Sequence, residues 1–250
     1  MKNPKQWRYT RQRAGRLVKE CRYQRPRIRE DDPAALRKEK RAVQEKIRNC
    51  CFRKNPTDRA ELMVALMGAR SAHWVLTYDE DHLPLRYAQV QEDVRRFIRG
   101  LRRRLGRAFD YLYCIEGKHG DHRYHVHILL RKRDVPDSLV TLCWPGGGVK
   151  EGAPVLLPGK PRDGFYRLAR YFTKEARDGM SLPLGSRLWV ASRSLRDQLP
   201  PPERGKADSG EIIVPEGATG VLPYSVTVEG GQYHYASWIE PEPRARATYT

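Results

Sequence analysis

The segment from Tyr111 to Leu130 constrains the fold more than any other part of this sequence. Two runs rich in β-formers, Tyr111 to Glu116 and Tyr124 to Leu130, flank a polar stretch containing Gly117, Gly120 and Asp121. The pattern predicts an antiparallel hairpin. Gly120-Asp121 suits its turn, because glycine at the first central position accepts the backbone of a type II′ turn. That turn sets residue 116 opposite 125 and residue 114 opposite 127. Alternate strand residues share a face, so His125 and His127 point the same way while Val126 is directed into packing. Glu116 joins them on that face, within cross-strand reach of His125. Two imidazoles and a carboxylate converging on one point make a three-ligand divalent metal site with open positions. A slip of one residue in register would turn Glu116 to the other face. His119 and His122 flank the turn and read as ordinary loop residues.

Around the hairpin the pattern predicts a strand at Ala72 to Tyr78, bounded by Asp79-Glu80-Asp81, and a helix from Ala88 to Leu105. In that helix Val90, Val94, Phe97, Ile98 and Leu101 fall at helical spacing, and the other face carries Arg95, Arg99, Arg102 and Arg103. The Pro- and Gly-rich stretch from Cys143 to Gly164 is expected to hold at most short strands. A further helix, Gly164 to Arg177, places Phe165, Leu168, Ala169, Phe172 and Ala176 on one face, and a strand follows at Arg187 to Ala191. The βαββ…αβ order with hairpins predicts an α+β fold: an antiparallel sheet with flanking helices, of ferredoxin-like character. Residues 1–70 read as a basic helical N-terminal extension. Its first 30 residues form a flexible basic arm; helices follow from Asp32-Pro33 toward Cys51 and up to Gly68. Residues 71–199 form the main domain. Residues 200–250, opening with Pro200-Pro201-Pro202, read as a linker and a short β-rich tail with strands near 226–228 and 233–239. There is no internal repeat.

Charge narrows the partners. The sequence holds 48 Lys+Arg against 30 Asp+Glu, a formal net charge of +18 over 250 residues. An excess this large implies a polyanionic partner, nucleic acid before an anionic membrane. No apolar run approaches the ~18–20 residues of a membrane span, and no secretory signal opens the sequence. Five cysteines without CxxC spacing indicate neither a disulfide framework nor a zinc ribbon, so a reducing cytoplasm is the expected compartment. The adjacent Cys50 and Cys51 are expected to pack.

Tyr171-Phe172-Thr173-Lys174 is the second chemical element. Residues three apart on a helix are neighbours, so the Tyr171 hydroxyl and the Lys174 ammonium share a side, off the apolar stripe. Phosphodiester cleavage needs a nucleophile, a Lewis acid and a nearby cation. A phenol with a reference pKa near 10 needs activation, which a metal or lysine neighbour provides.

The combination resembles the HUH endonuclease superfamily, specifically the rolling-circle replication initiators of bacterial plasmids and phages. Three motifs carry the resemblance in order, over about half the chain: the strand Trp74-Val75-Leu76-Thr77-Tyr78, the hairpin from Glu116 to His125-Val126-His127, and the helix with Tyr171 and Lys174. The segment Arg187 to Arg193 also looks like a strand these proteins carry after the Tyr helix. The resemblance implies that Glu116, His125 and His127 ligate Mg²⁺ or Mn²⁺, that Tyr171 attacks phosphorus, and that Lys174 assists with charge or proton handling. It implies single-stranded or hairpin origin DNA as substrate, contacted by Thr77, Arg95, Arg99, Arg102, Arg103, Arg167 and Arg170. A 5′-phosphotyrosine link and a free 3′-OH are the expected products, in a bacterial cytoplasm with host helicase and polymerase as further partners. No Gly-x-x-x-x-Gly-Lys-Ser/Thr loop is present, so no fused helicase is expected.

The sequence departs from phage-type relatives that carry two tyrosines one helical turn apart. Arg167 stands four before Tyr171, and Tyr166 lies about 140° around the helix, so one nucleophile is expected and Tyr166 is left to packing or DNA contact. Other readings stay open: a transposase of the same superfamily, a non-haem iron oxygenase, and a ferredoxin-like nucleic-acid-binding module without catalysis. A conjugative relaxase normally places its Tyr before the histidines, against the order here.

Overall fold

A glycine sets the first element. Gly15, with φ 56°, supplies the left-handed backbone that a two-residue hairpin loop requires. It joins β1 (Trp7–Ala14) to β2 (Leu17–Gln24), with Ala14 opposite Leu17. The first thirty residues are therefore not a flexible arm. Their strand pattern escapes a hydrophobicity reading because the inward positions of β1 include Thr10 and Gln12, and those of β2 include Lys19 and Glu20, all buried. The computed structural model describes residues 6–117, 124–154, 165–174, 187–228 and 231–241. The expected turn at Gly120-Asp121, with His119 and His122, lies outside them, as does the helix reading beyond Lys174.

The chain divides into two units. In the first, formed by the described residues up to Arg59 and from Pro200 onward, five antiparallel strands run in the order β8 (Glu203–Ala207), β1, β2, β10 (Gly231–Ile239) and β9 (Thr219–Val228). The N-terminal and C-terminal segments, read from sequence as separate extensions, thus share one sheet. Helix α1 (Ala34–Cys50) packs Ile47 against Cys21, Phe52, Tyr233 and Tyr235, and Cys50 and Cys51 border the same cluster. Lys19 is fully buried; its Nζ donates to Asp58 Oδ1 at 2.6 Å and to the Tyr235 hydroxyl at 3.0 Å. Pairing is what makes such burial tolerable.

The second unit holds most of α2 (Pro56–Met67) and a sheet in the order β6 (Gly147–Pro154), β3 (Ser71–Tyr78), β5 (His125–Arg131), β4 (Tyr111–Glu116) and β7 (Val190–Ala191). Helix α3 (Tyr87–Leu105) connects β3 to β4, and β5 lies between these two strands. Helix α4 (Asp137–Cys143) then leads into β6. This is the split βαββαβ arrangement of the ferredoxin-like class. The α+β antiparallel fold is the one expected, but its second αβ pair is α4 and β6, not the helix bearing Tyr171 and the strand after it. The Gly- and Pro-rich stretch from Cys143 hid an eight-residue strand, because Gly146, Gly147 and Gly148 lie against Tyr78, Asp79 and Thr77, where side chains would not fit.

One sheet face is core. Ala72, Trp74, Leu76, Ile115, Val126, Ile128 and Leu130 pack against Val90, Val94, Phe97, Ile98 and Leu101 of α3 and Val140 of α4. Strand alternation sends His73, Val75 and Thr77 of β3, Cys114 and Glu116 of β4, and His125 and His127 of β5 to the opposite face. Helix α5 (Phe165–Phe172) brings Tyr171 to that face, and α6 (Arg193–Asp197) follows β7. A polar network ties β4 to α6: Asp110 accepts from Arg131, Ser194 and Gln198 at 2.7, 2.5 and 2.7 Å.

Candidate active site

The hairpin register is the expected one: Glu116 lies opposite His125, and Cys114 opposite His127. The contact Glu116 makes is nevertheless diagonal. Its Oε2 lies 2.9 Å from Nε2 of His127, not against the directly opposite imidazole. Two further donors reach the same carboxylate. The Tyr171 hydroxyl donates to Oε2 at 2.9 Å, and Lys174 Nζ donates to Oε1 at 3.0 Å. The Tyr171 ring also stands edge-on to His127, centroids 4.6 Å apart, and Lys174 lies 5.9 Å from the Tyr171 ring centre. Three side chains from two parts of the chain therefore converge on one carboxylate.

Burial of Phe165, Ala169 and Phe172 fixes the rotation of α5, which leaves Arg167, Arg170 and Tyr171 exposed. Thr173 Oγ1 donates to the carbonyl of Ala169 at 3.0 Å and holds the turn that presents Lys174. Tyr166 is half-buried on α5.

The electrostatics follow from this crowding. The hydrogen bond from His127, helped by those from Lys174 and Tyr171, holds the Glu116 carboxyl well below the usual carboxylate range although burial opposes it. Burial, and next the negative Glu116 carboxylate, push the Tyr171 phenol above the usual phenol range. The phenol thus rests protonated, its hydrogen aimed at a carboxylate that stays ionised.

His73 belongs to this site and was missed in the sequence. Its Nε2 lies 3.1 Å from Nδ1 of His127, and its ring borders Phe172. Burial, followed by the neighbouring His127, lowers its pKa to about 4. With both rings neutral, His127 donates from Nε2 to Glu116 and accepts at Nδ1 from His73. The signal lay in the pairing of β3 with β5, where Val75 faces His127 and His73 faces Leu129; nothing in the local sequence announces that register.

Glu116 and His127 are drawn together, and His125 shares their face by alternation. Among the described residues no three His, Cys, Asp or Glu side chains already stand grouped as a metal cage. The donor set, one carboxylate and two imidazoles on one open sheet face, has the chemistry of a divalent-cation site. The expected DNA contacts fall into two groups. Arg167 and Arg170 flank Tyr171, and Thr77 shares the sheet face of the histidines. Arg95, Arg99, Arg102 and Arg103 are carried by α3, which covers the other face. No helix among the described residues is long and apolar enough to cross a membrane.

Comparison with known proteins gives a partial answer. No curated protein and no solved structure matches the chain. Residues 72–176, which hold β3, the hairpin and Tyr171, match a family model for a replication-associated protein, ORF2, and this similarity supports a replication initiator family, with DNA as the partner.

Proposed function

We propose that this protein is a rolling-circle replication initiator that nicks single-stranded origin DNA by tyrosine transesterification. One observation carries the reading: the Tyr171 phenol, the Lys174 ammonium and the His127 imidazole converge on Glu116 within 3.0 Å. A structural ion pair has no need of a half-exposed phenol, whereas a nucleophile beside an acceptor and a cation does.

The Tyr171 oxygen attacks phosphorus and forms a 5′-phosphotyrosine, while the bond from phosphorus to the 3′ oxygen breaks and leaves a free 3′-OH. One phosphoester replaces another, so the step is nearly isoenergetic and needs no ATP. Glu116 Oε2 is the nearest acceptor for the phenol hydrogen. Lys174 stands beside both groups, placed to offset charge on the phosphate or to protonate the departing 3′ oxygen. Glu116, His125 and His127 are the residues that would hold Mg²⁺ or Mn²⁺. Bound there, the cation supplies Lewis-acid polarisation of the phosphate. His73 orients the imidazole of His127 from behind. Arg167 and Arg170, exposed on either side of the nucleophile, are assigned to flanking phosphates, and Thr77 to the strand entering across β3. In a bacterial cytoplasm the free 3′-OH primes synthesis by host helicase and polymerase.

The test is incubation with a labelled single-stranded hairpin oligonucleotide and Mn²⁺, resolved on a denaturing gel. A retarded protein–DNA band that needs the metal and disappears in Tyr171→Phe is expected. Persistence of that band in Tyr171→Phe would overturn the assignment.

A further inference from the structure

The sheet of the second unit carries a groove on the side away from Tyr171. Over β3 and β5 that face is sealed by α3 and α4, but at the β4 and β7 edge the cover ends. An open groove of about 440 Å³ remains between β4 and the flank of α3. Its floor is aromatic. Tyr111 and Tyr113 stand side by side along β4, ring centroids 6.1 Å apart and planes inclined by 29°. Its walls are basic: Arg95, Arg99 and Arg102 from α3, and Arg187 from the segment leading into β7. The Arg102 guanidinium lies 6.0 Å from the Tyr111 ring centre. No acidic side chain is among the described residues of the lining. Glu92 pairs with Arg95 and Arg99 at 3.3 and 2.7 Å, but these are exposed pairs that a phosphate can replace at little cost.

We infer that this groove is a second binding site, for a stretch of single-stranded DNA distinct from the one presented to Tyr171. Aromatic platforms beside a track of guanidinium groups match a ligand that alternates flat π-faces with negative charge. A duplex keeps its bases stacked on one another and has no free face for Tyr111 or Tyr113. An acidic peptide would satisfy the arginines and leave the rings unused. Strand β4 makes the separation of the two sites strict. Its alternation sends Cys114 and Glu116 to the face of the histidines and Tyr111 and Tyr113 to the groove. This explains why α3 carries Arg95, Arg99 and Arg102 although it covers the wrong face for the nucleophile. The inference rests on DNA as the partner but not on the chemistry of Tyr171.

Cross-linking in EDTA tests it without catalysis. The unaltered full-length chain is irradiated with an oligothymidine of about 15 nucleotides containing 5-iodouracil, and the linked peptides are mapped. Links to the peptide bearing Tyr111 and Tyr113 are expected, and links confined to other peptides overturn the proposal. Fluorescence anisotropy with the same oligonucleotide gives a second measure. Tyr111→Leu/Tyr113→Leu weakens binding about tenfold. Arg95→Gln/Arg102→Gln weakens it and reduces the salt slope by about 1.4. An affinity unchanged by the tyrosine substitutions, or equal displacement by duplex of the same length, means that the groove is only a positive surface. If the tyrosine variant does not fold, cross-linking of the unaltered chain decides alone. Absence of the covalent Tyr171 adduct alongside groove cross-links would defeat the nuclease reading and leave this one standing.

Discussion

Tyr171 donates its hydroxyl to Glu116 at 2.9 Å across 55 residues of sequence, and that contact joins α5 to the edge of the His125–His127 hairpin. The carboxylate holds the phenol neutral at rest. Neutralising Glu116 should therefore lower the proton affinity of Tyr171. In Glu116→Gln the phenol titrates at lower pH than in the parent, as followed by the ultraviolet absorbance of tyrosinate. An unchanged or higher titration point for Tyr171 would separate the two groups energetically.

His73 is a positioning residue for His127. Removing it in His73→Ala leaves Nδ1 of His127 without this partner at 3.1 Å and frees the ring to rotate. Loss of such an outer hydrogen bond weakens metal binding by about 10- to 100-fold. Titration calorimetry with Mn²⁺ measures it, and His73→Gln, which keeps a hydrogen-bonding group, is expected to recover part of the loss. Equal affinity in all three proteins would remove His73 from the site.

Asp58 neutralises a lysine that has no access to water. Lys19 is 0% exposed and Asp58 14% exposed, so the two halves of the pair are unequal. Asp58→Ala strands a buried ammonium and should cost about 3 kcal/mol. Lys19→Met removes the buried charge itself, leaving a carboxylate with some solvent, and should cost less. Urea denaturation of both variants ranks them; the reverse order would contradict the pairing.

Acid should loosen the link between β4 and α6 through Asp110. Burial alone would raise its pKa, but hydrogen bonds from Ser194 and Gln198 and the charge of Arg131 outweigh it and hold the group below its ordinary 3.8. A depressed carboxyl stabilises the fold fully above the unfolded value and loses that contribution as pH falls through the folded value. Stability should therefore decline below about pH 4, and Asp110→Asn should flatten that limb. Thermal melts between neutral and strongly acidic pH check it; parallel slopes would assign the acid limb to other groups.

Much of the candidate site was legible because it is local. The spacing from Glu116 to His125 and His127 needs only a hairpin and a two-residue period, and β4 and β5 pair in the anticipated register. The helix of α3 was legible for the same reason: five buried apolar residues recur at helical spacing. The first strands were not. Where Thr10, Gln12, Lys19 and Glu20 fill inward positions, no hydrophobic alternation survives to be read, because their burial depends on partners distant in sequence.

The sequence by itself determined the α+β class, the hairpin with its two histidines and carboxylate, and the helical proximity of Tyr171 to Lys174, since each depends on backbone periods of a few residues. Only the tertiary structure decided that α4 and β6 complete the core and that the N-terminal and C-terminal strands share one sheet. The same holds for His73 standing behind His127, and for the α3 arginines facing away from the nucleophile. Long-range strand pairing makes those choices, through registers set by packing across the whole sheet, and no local spacing encodes them.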